Sequence, residues 1–248
     1  MKSHLCVLRS VRRHVLFLSL GLFATALRAT ESWETALARM PLEPRVRQLN
    51  RTNCVEVMLR AFQSNHTVKA LIFMPGATDE FYMFRRAKAE LTNASPTLLD
   101  AVSALTNQTL IRATFHGPLL LLHTDEDPLE PQIKVEHHGA ADKLQRAAFL
   151  PHALYNDRDW DVIQPILKKR LRADVRPWQY SYDSWHFYRH SFAAWDLTGW
   201  EALQTVALAG KTGFTVRRKG ALYLHQTEVV FEPDPRVRAT PKLDAFPR

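Results

Sequence analysis

Apolar residues recur at helical spacing early in the chain. Cys54 sits among Val55, Met58, Leu59 and Phe62, and the i, i+3, i+4, i+7 rhythm of the last four predicts a helix over roughly 52–64. The run from Val68 to Met74 is too short and too continuously apolar for that period and reads as a strand. Phe81-Tyr82-Met83-Phe84-Arg85 reads as a second strand. At Thr97 a new helix is expected. The Thr97 hydroxyl can accept from an orphan amide, and Asp100 stands at the positive end of the helix. Val102 and Leu105 continue its apolar face, and a hairpin over Ile111 to Leu122 turns at Gly117.

The same order returns downstream. A helix near 159–172 carries Trp160, Ile163, Leu167 and Leu171 on one side, with Pro165 either delaying its start or kinking it. An extended run, Val175 to Tyr182, follows, and Trp185-His186-Phe187-Tyr188-Arg189 echoes the first aromatic strand. Thr198-Gly199-Trp200-Glu201-Ala202-Leu203 repeats the pattern of Thr97 to Val102, Thr-x-apolar-acid-Ala-apolar, and Thr198 with Glu201 makes a full capping box. A two-residue insertion then restores register, so that Thr212 matches Thr109, Phe214 matches Ile111 and Gly220 matches Gly117. The expected fold is therefore α+β, built as two tandem helix-strand-strand-helix-strand-strand modules, each a small sheet packed with two helices. Residues 50–123 form the first module and 155–232 the second. A lead-in at 30–49, a linker at 124–154 with short elements of its own, and a tail at 233–248 complete that plan.

The N-terminal stretch reads as an address. Lys2, Arg9, Arg12 and Arg13 precede an apolar run from Val15 to Ala26, followed by Ala24-Thr25-Ala26 or Leu27-Arg28-Ala29 as cleavage site. That run is shorter than the roughly 20 apolar residues a spanning helix needs, so residues 1–29 are expected to be a signal peptide that leaves no membrane span after cleavage. This alters the charge argument. The formal +8 falls to 28 basic against 25 acidic groups once residues 1–29 are removed, and a nucleic-acid partner is not implied. Cys6 leaves with the signal, so Cys54 has no intramolecular disulfide partner and is read as a small core hydrophobe. The Asn-x-Ser/Thr sequons at Asn50, Asn65, Asn93 and Asn107 are read as chance or turn chemistry.

Each half resembles the secretin/TonB short N-terminal domain. The first half does so through Leu91 to Val102, Leu105, Thr109 and the hairpin Ile111 to Leu122. The second half does so through Trp195 to Leu203, Thr212-Gly213-Phe214 and the hairpin to His225. The resemblance implies a small α+β module without catalytic residues or cofactor that docks onto partner proteins in the bacterial envelope.

Candidate chemistry is sparse. H-E-x-x-H, G-x-S-x-G, P-loop and G-x-G-x-x-G patterns do not occur, and Asp157, Asp159 and Asp161 read as helix-start acids. The alternative is a secreted hydrolase or metal-dependent enzyme. It would use His137, His138 and His152, or the His123 to Asp127 loop with Asp125, Glu126 and Asp127. The adjacent His137 and His138 point to opposite sides of an extended chain, which weakens the first of these sets. The aromatic run is the other candidate. Trp178, Tyr180 and Tyr182 alternate with polar residues, and with Trp185 they could stack on a glycan or a partner's apolar side chains, or fill the core of the second half. Arg217 and Arg218, with Lys219 and Lys211, form a basic patch near a hairpin tip. The expectation is an extracytoplasmic, non-enzymatic binding or adaptor protein. Trp178, Tyr180, Tyr182, Trp185, Arg217 and Arg218 would be its contact residues, an envelope protein its partner and a glycan its second ligand class.

Overall fold

A computed structural model describes residues 31–50, 52–74, 88–124, 130–146, 148–150, 153–158, 160–176, 190–219 and 221–228. The described residues from Trp33 onward form one compact unit. Among the described residues the helices are α1 (Trp33–Ala38), α2 (Cys54–Ala61), α3 (Leu98–Gln108), α4 (His138–Arg146), α5 (Trp160–Leu171) and α6 (Gly199–Ala209). The strands are β1 (Gln48–Leu49), β2 (Ala70–Phe73), β3 (Ala89–Glu90), β4 (Arg112–His116), β5 (Leu119–His123), β6 (Ile133–Val135), β7 (Ala148–Leu150), β8 (Ala153–Arg158), β9 (Ala173–Arg176), β10 (His190–Ala194), β11 (Leu197–Thr198), β12 (Thr212–Lys219) and β13 (Ala221–Glu228). The fold is α+β. Among the described residues no helix is long and apolar enough to cross a membrane.

One pairing scheme occurs twice. β1 pairs antiparallel with β3, and β7 with β11. The hairpin β4–β5 lies beside β2, and the hairpin β12–β13 beside β9. In both cases the second hairpin strand runs parallel to the strand that follows the earlier helix. Ala70 faces Leu119, and Ala173 faces Leu222, with the same chain separation in each pair. Both later helices carry complete capping boxes, Thr97 with Asp100 and Thr198 with Glu201.

The sheets nevertheless depart from two self-contained modules. Strands β8 and β10, from the second segment, join the first sheet, whose order is β4-β5-β2-β10-β8. β10 lies antiparallel on β2, with Phe192 opposite Ile72. The second sheet runs β6-β12-β13-β9. Side-chain alternation explains why the first sheet can be shared. Leu71, Phe73, Leu120, Leu122 and Ala193 face a core built with α1, α2 and α3, whereas Ala70, Ile72, Leu119, Leu121, Phe192 and Ala194 face a second core built with α4, α5 and α6. Buried on both faces, β2 and β5 read as continuous apolar runs.

Helix α6 sits between the two sheets and packs on β2, β5 and β10 from one side and on β12 from the other. Its buried residues, Ala202, Leu203, Thr205, Val206, Ala207, Leu208 and Ala209 among them, cover nearly its whole circumference. An apolar surface all round is what a helix clasped between two sheets requires.

The segments expected to be a lead-in and a linker belong to the core. Ala36, Leu37 and Leu49 of the first are buried, and the second supplies β6, α4 and β7, with Ala140, Ala141 and Leu144 buried. Each gives one helix that packs on a capped helix, α1 on α3 and α4 on α6. Pro165 does not delay the start of α5, which runs from Trp160 to Leu171 with the proline on its exposed side. Residues 1–30 and 229–248, and the aromatic strands at 81–85 and 185–189, lie outside the described residues.

Candidate interaction surface

Among the expected contact residues, Trp178, Tyr180, Tyr182 and Trp185 lie outside the described residues. Arg217 and Arg218 stand near the end of β12, where Lys219 opposite Ala221 closes the hairpin. Arg217 is not a free cation: its Nε and Nη2 donate to the two carboxylate oxygens of Glu136, the second bond at 3.0 Å. Parallel pairing of β6 with β12 brings Glu136 alongside. The hydrogen bond from Arg217, aided by its charge and that of Lys134, holds the Glu136 carboxyl below its ordinary range. Arg218 is exposed. Lys211 does not belong to this patch, because its Nζ is buried.

The histidines expected of a hydrolase have structural positions. His123 is buried on β5, and its Nε2 lies 2.7 Å from the Thr114 hydroxyl across the β4–β5 pair. His137 precedes α4, and its Nδ1 accepts from the Ala140 amide at 3.1 Å, capping the helix. His138 is exposed on the first turn, while His152 and residues 125–127 lie outside the described residues. Among the described residues no three His, Cys, Asp or Glu side chains are grouped closely enough to hold a metal ion. Burial pushes the Cys54 thiol up to about 12, far from the thiolate a nucleophile needs. Of the helix-start acids, Asp161 lies in the first turn of α5, Asp157 adopts φ 52° on β8 with its amide donating to the Ser191 hydroxyl, and Asp159 lies outside the described residues.

A surface that the sequence reading passed over appears where α4 and α5 end. A Cβ placed on Gly199 would lie 2.9 Å from Leu171 Cδ2 and 3.1 Å from the Leu144 carbonyl oxygen. The last turns of both helices therefore press against the first residue of α6. Leu144 is flanked by Lys143 and Arg146, and Leu171 by Lys168, Lys169, Arg170 and Arg172. All six cations are exposed, and among the described residues none forms an ion pair. Along α4, Gly139, Asp142, Lys143 and Arg146 share one face and line a concavity of about 400 Å³. No signal in either helix alone shows this corner, because the two basic clusters lie more than twenty positions apart and only the packing at Gly199 joins them.

No family model, curated protein or solved structure matches the chain.

Proposed function

We propose that this is an extracytoplasmic binding or adaptor protein that acts through protein–protein contacts, with a glycan as second ligand class, and performs no catalysis. The observation that carries the reading is the cationic corner at the ends of α4 and α5. It presents unpaired charge on helices anchored in a dense core. A rigid backbone beneath the charges favours recognition, because little backbone freedom remains to be lost on association. The capped helix followed by a hairpin, present in both halves, supports kinship with envelope docking modules of the secretin/TonB short N-terminal type. The apolar run at residues 15–26 supports export.

The test is in-cell cross-linking of the full chain combined with fractionation. A photo-reactive residue replacing Lys169 is expected to capture one discrete protein in the extracytoplasmic fraction, and the same residue replacing Arg45 is expected not to. A chain confined to the cytoplasm, or one that purifies with stoichiometric zinc and cleaves ester or peptide substrates, contradicts the reading.

A further inference from the structure

The corner at the ends of α4 and α5 has a bland explanation: cations neutralise the partial negative charge at helix C-termini. The other helices weigh against it. α1, α3 and α6 have no basic residue in their last turns, and in α2 the last-turn Arg60 is tied to Glu56. The fold thus closes helices without unpaired cations, and does so throughout the first copy of the pairing scheme. In the second copy the last turns of α4 and α5 hold Lys143, Arg146, Lys168, Lys169 and Arg170, with Arg172 just beyond at φ 49°. Elsewhere, Lys69 meets Glu201 and Arg217 meets Glu136, whereas among the described residues Arg45, Arg47 and Lys88 of the first half are exposed and unpaired but stand at the end of none of these helices. The last turns of α4 and α5 meet at Gly199, so their exposed like charges repel at low salt unless an anion is shared among them.

We infer that this corner, with the concavity beside α4, is the docking site for an acidic segment of a partner protein; the inference rests on the binding reading above and specifies its partner. Two features favour a protein segment over an anionic bilayer. A helix that lies in a membrane interface turns its apolar face outward, but the apolar residues Ile163, Leu167 and Leu171 of α5 are buried in the core, and Val162 is the one large exposed aliphatic on that helix among the described residues. Asp142 lines the concavity together with Lys143 and Arg146, so the wall carries charge of both signs rather than a uniform basic plane. An extended chain with spaced carboxylates can place each one against a cation and avoid Asp142. A continuous phosphate array cannot.

The test is titration of the full chain with a fluorescent glutamate-rich peptide at low salt, where exposed charges are least screened. The wild type is expected to bind, and K168Q/K169Q/R170Q to bind at least about tenfold more weakly. R45Q/R47Q/K88Q removes equal charge from the first half and is expected to stay within about twofold of wild type. Parallel titrations use vesicles of phosphatidylglycerol and phosphatidylethanolamine, and a DNA duplex. Absence of peptide binding, equal loss in both triple variants, or tighter binding to vesicles or duplex than to peptide overturns the proposal. Thermal melts superimposable on wild type show that each variant is folded. Failure here with a protein still captured from Lys169 in cells would refute the acidic partner and leave the binding reading standing.

Discussion

At the scale of single residues, Gly210 leaves less room for a side chain than Gly117, Gly139 or Gly199. A Cβ there would fall 2.3 Å from Nε2 and 2.9 Å from Cε1 of His190, a ring fully buried at the start of β10. The ring has no open space to retreat into, so Gly210→Ala is expected to lose about 1–3 kcal/mol, the usual range for an overpacked core. Denaturant unfolding measures it, and an unchanged midpoint would show that the ring yields. Glu136 offers a pH-dependent handle. Its carboxyl is held below the ordinary glutamate range, chiefly by the hydrogen bond from Arg217, so its ionised form favours the native state. The clamp is therefore present above the ordinary range and is lost as pH falls through the depressed value. Carboxyl chemical shifts should place the Glu136 titration below that of a free glutamate, and Arg217→Gln should move it back upward. A wild-type titration at the ordinary glutamate position contradicts the clamp.

Among elements, α6 explains most of the difference between expectation and structure. Its capping box was legible in Thr198 and Glu201, as was that of α3 in Thr97 and Asp100, because a cap depends on residues three apart. The clasping of α6 between two sheets was not legible. The sequence Gly199 to Ala209 is apolar nearly all round, a sign of two-sided burial, but a capping box and a local repeat do not say which two layers cover it. Likewise, helix and hairpin positions followed from local periodicity. The docking of β10 on β2 depends on strands more than a hundred positions apart, and local pattern carries no information at that range. The basic corner was missed for the same reason, while Arg217 and Arg218, contiguous in sequence, drew attention although Glu136 already engages Arg217. Two substitutions probe α6. Thr205 is fully buried and its hydroxyl has no hydrogen-bond partner among the described residues, so Thr205→Val should leave stability unchanged or raise it by up to about 1 kcal/mol. A loss above about 1 kcal/mol in the same unfolding experiment would reveal a bond to that hydroxyl. Lys69, just before β2, places Nζ 2.9 and 3.0 Å from the carboxylate oxygens of Glu201 at the start of α6, joining the two halves. Lys69→Met should cost about 1–2 kcal/mol, between the values for exposed and buried pairs, and a double-mutant cycle with Glu201→Gln isolates the coupling. A coupling near zero would show that the pair orders the interface without stabilising it.

For the whole molecule, two copies of one pairing scheme have been given unequal tasks. The first copy contributes a sheet buried on both faces, and its helix ends carry no unpaired basic cluster. The second contributes α6 as the central layer, with the last turns of α4 and α5 meeting at its first residue, Gly199. The aromatic run at 178–185, outside the described residues, leads from β9 to β10 and so connects the second sheet to the first. On the proposed reading, the surface of the second copy is the place where a partner is engaged. Backbone amide mapping by NMR, during titration of the full chain with the glutamate-rich peptide, tests it most directly. The account predicts shifts concentrated at residues 139–146 and 168–172, with the corresponding helices of the first copy, at 33–38 and 54–61, unmoved. Shifts spread evenly over both copies, or centred on Arg217 and Arg218 instead, would contradict it.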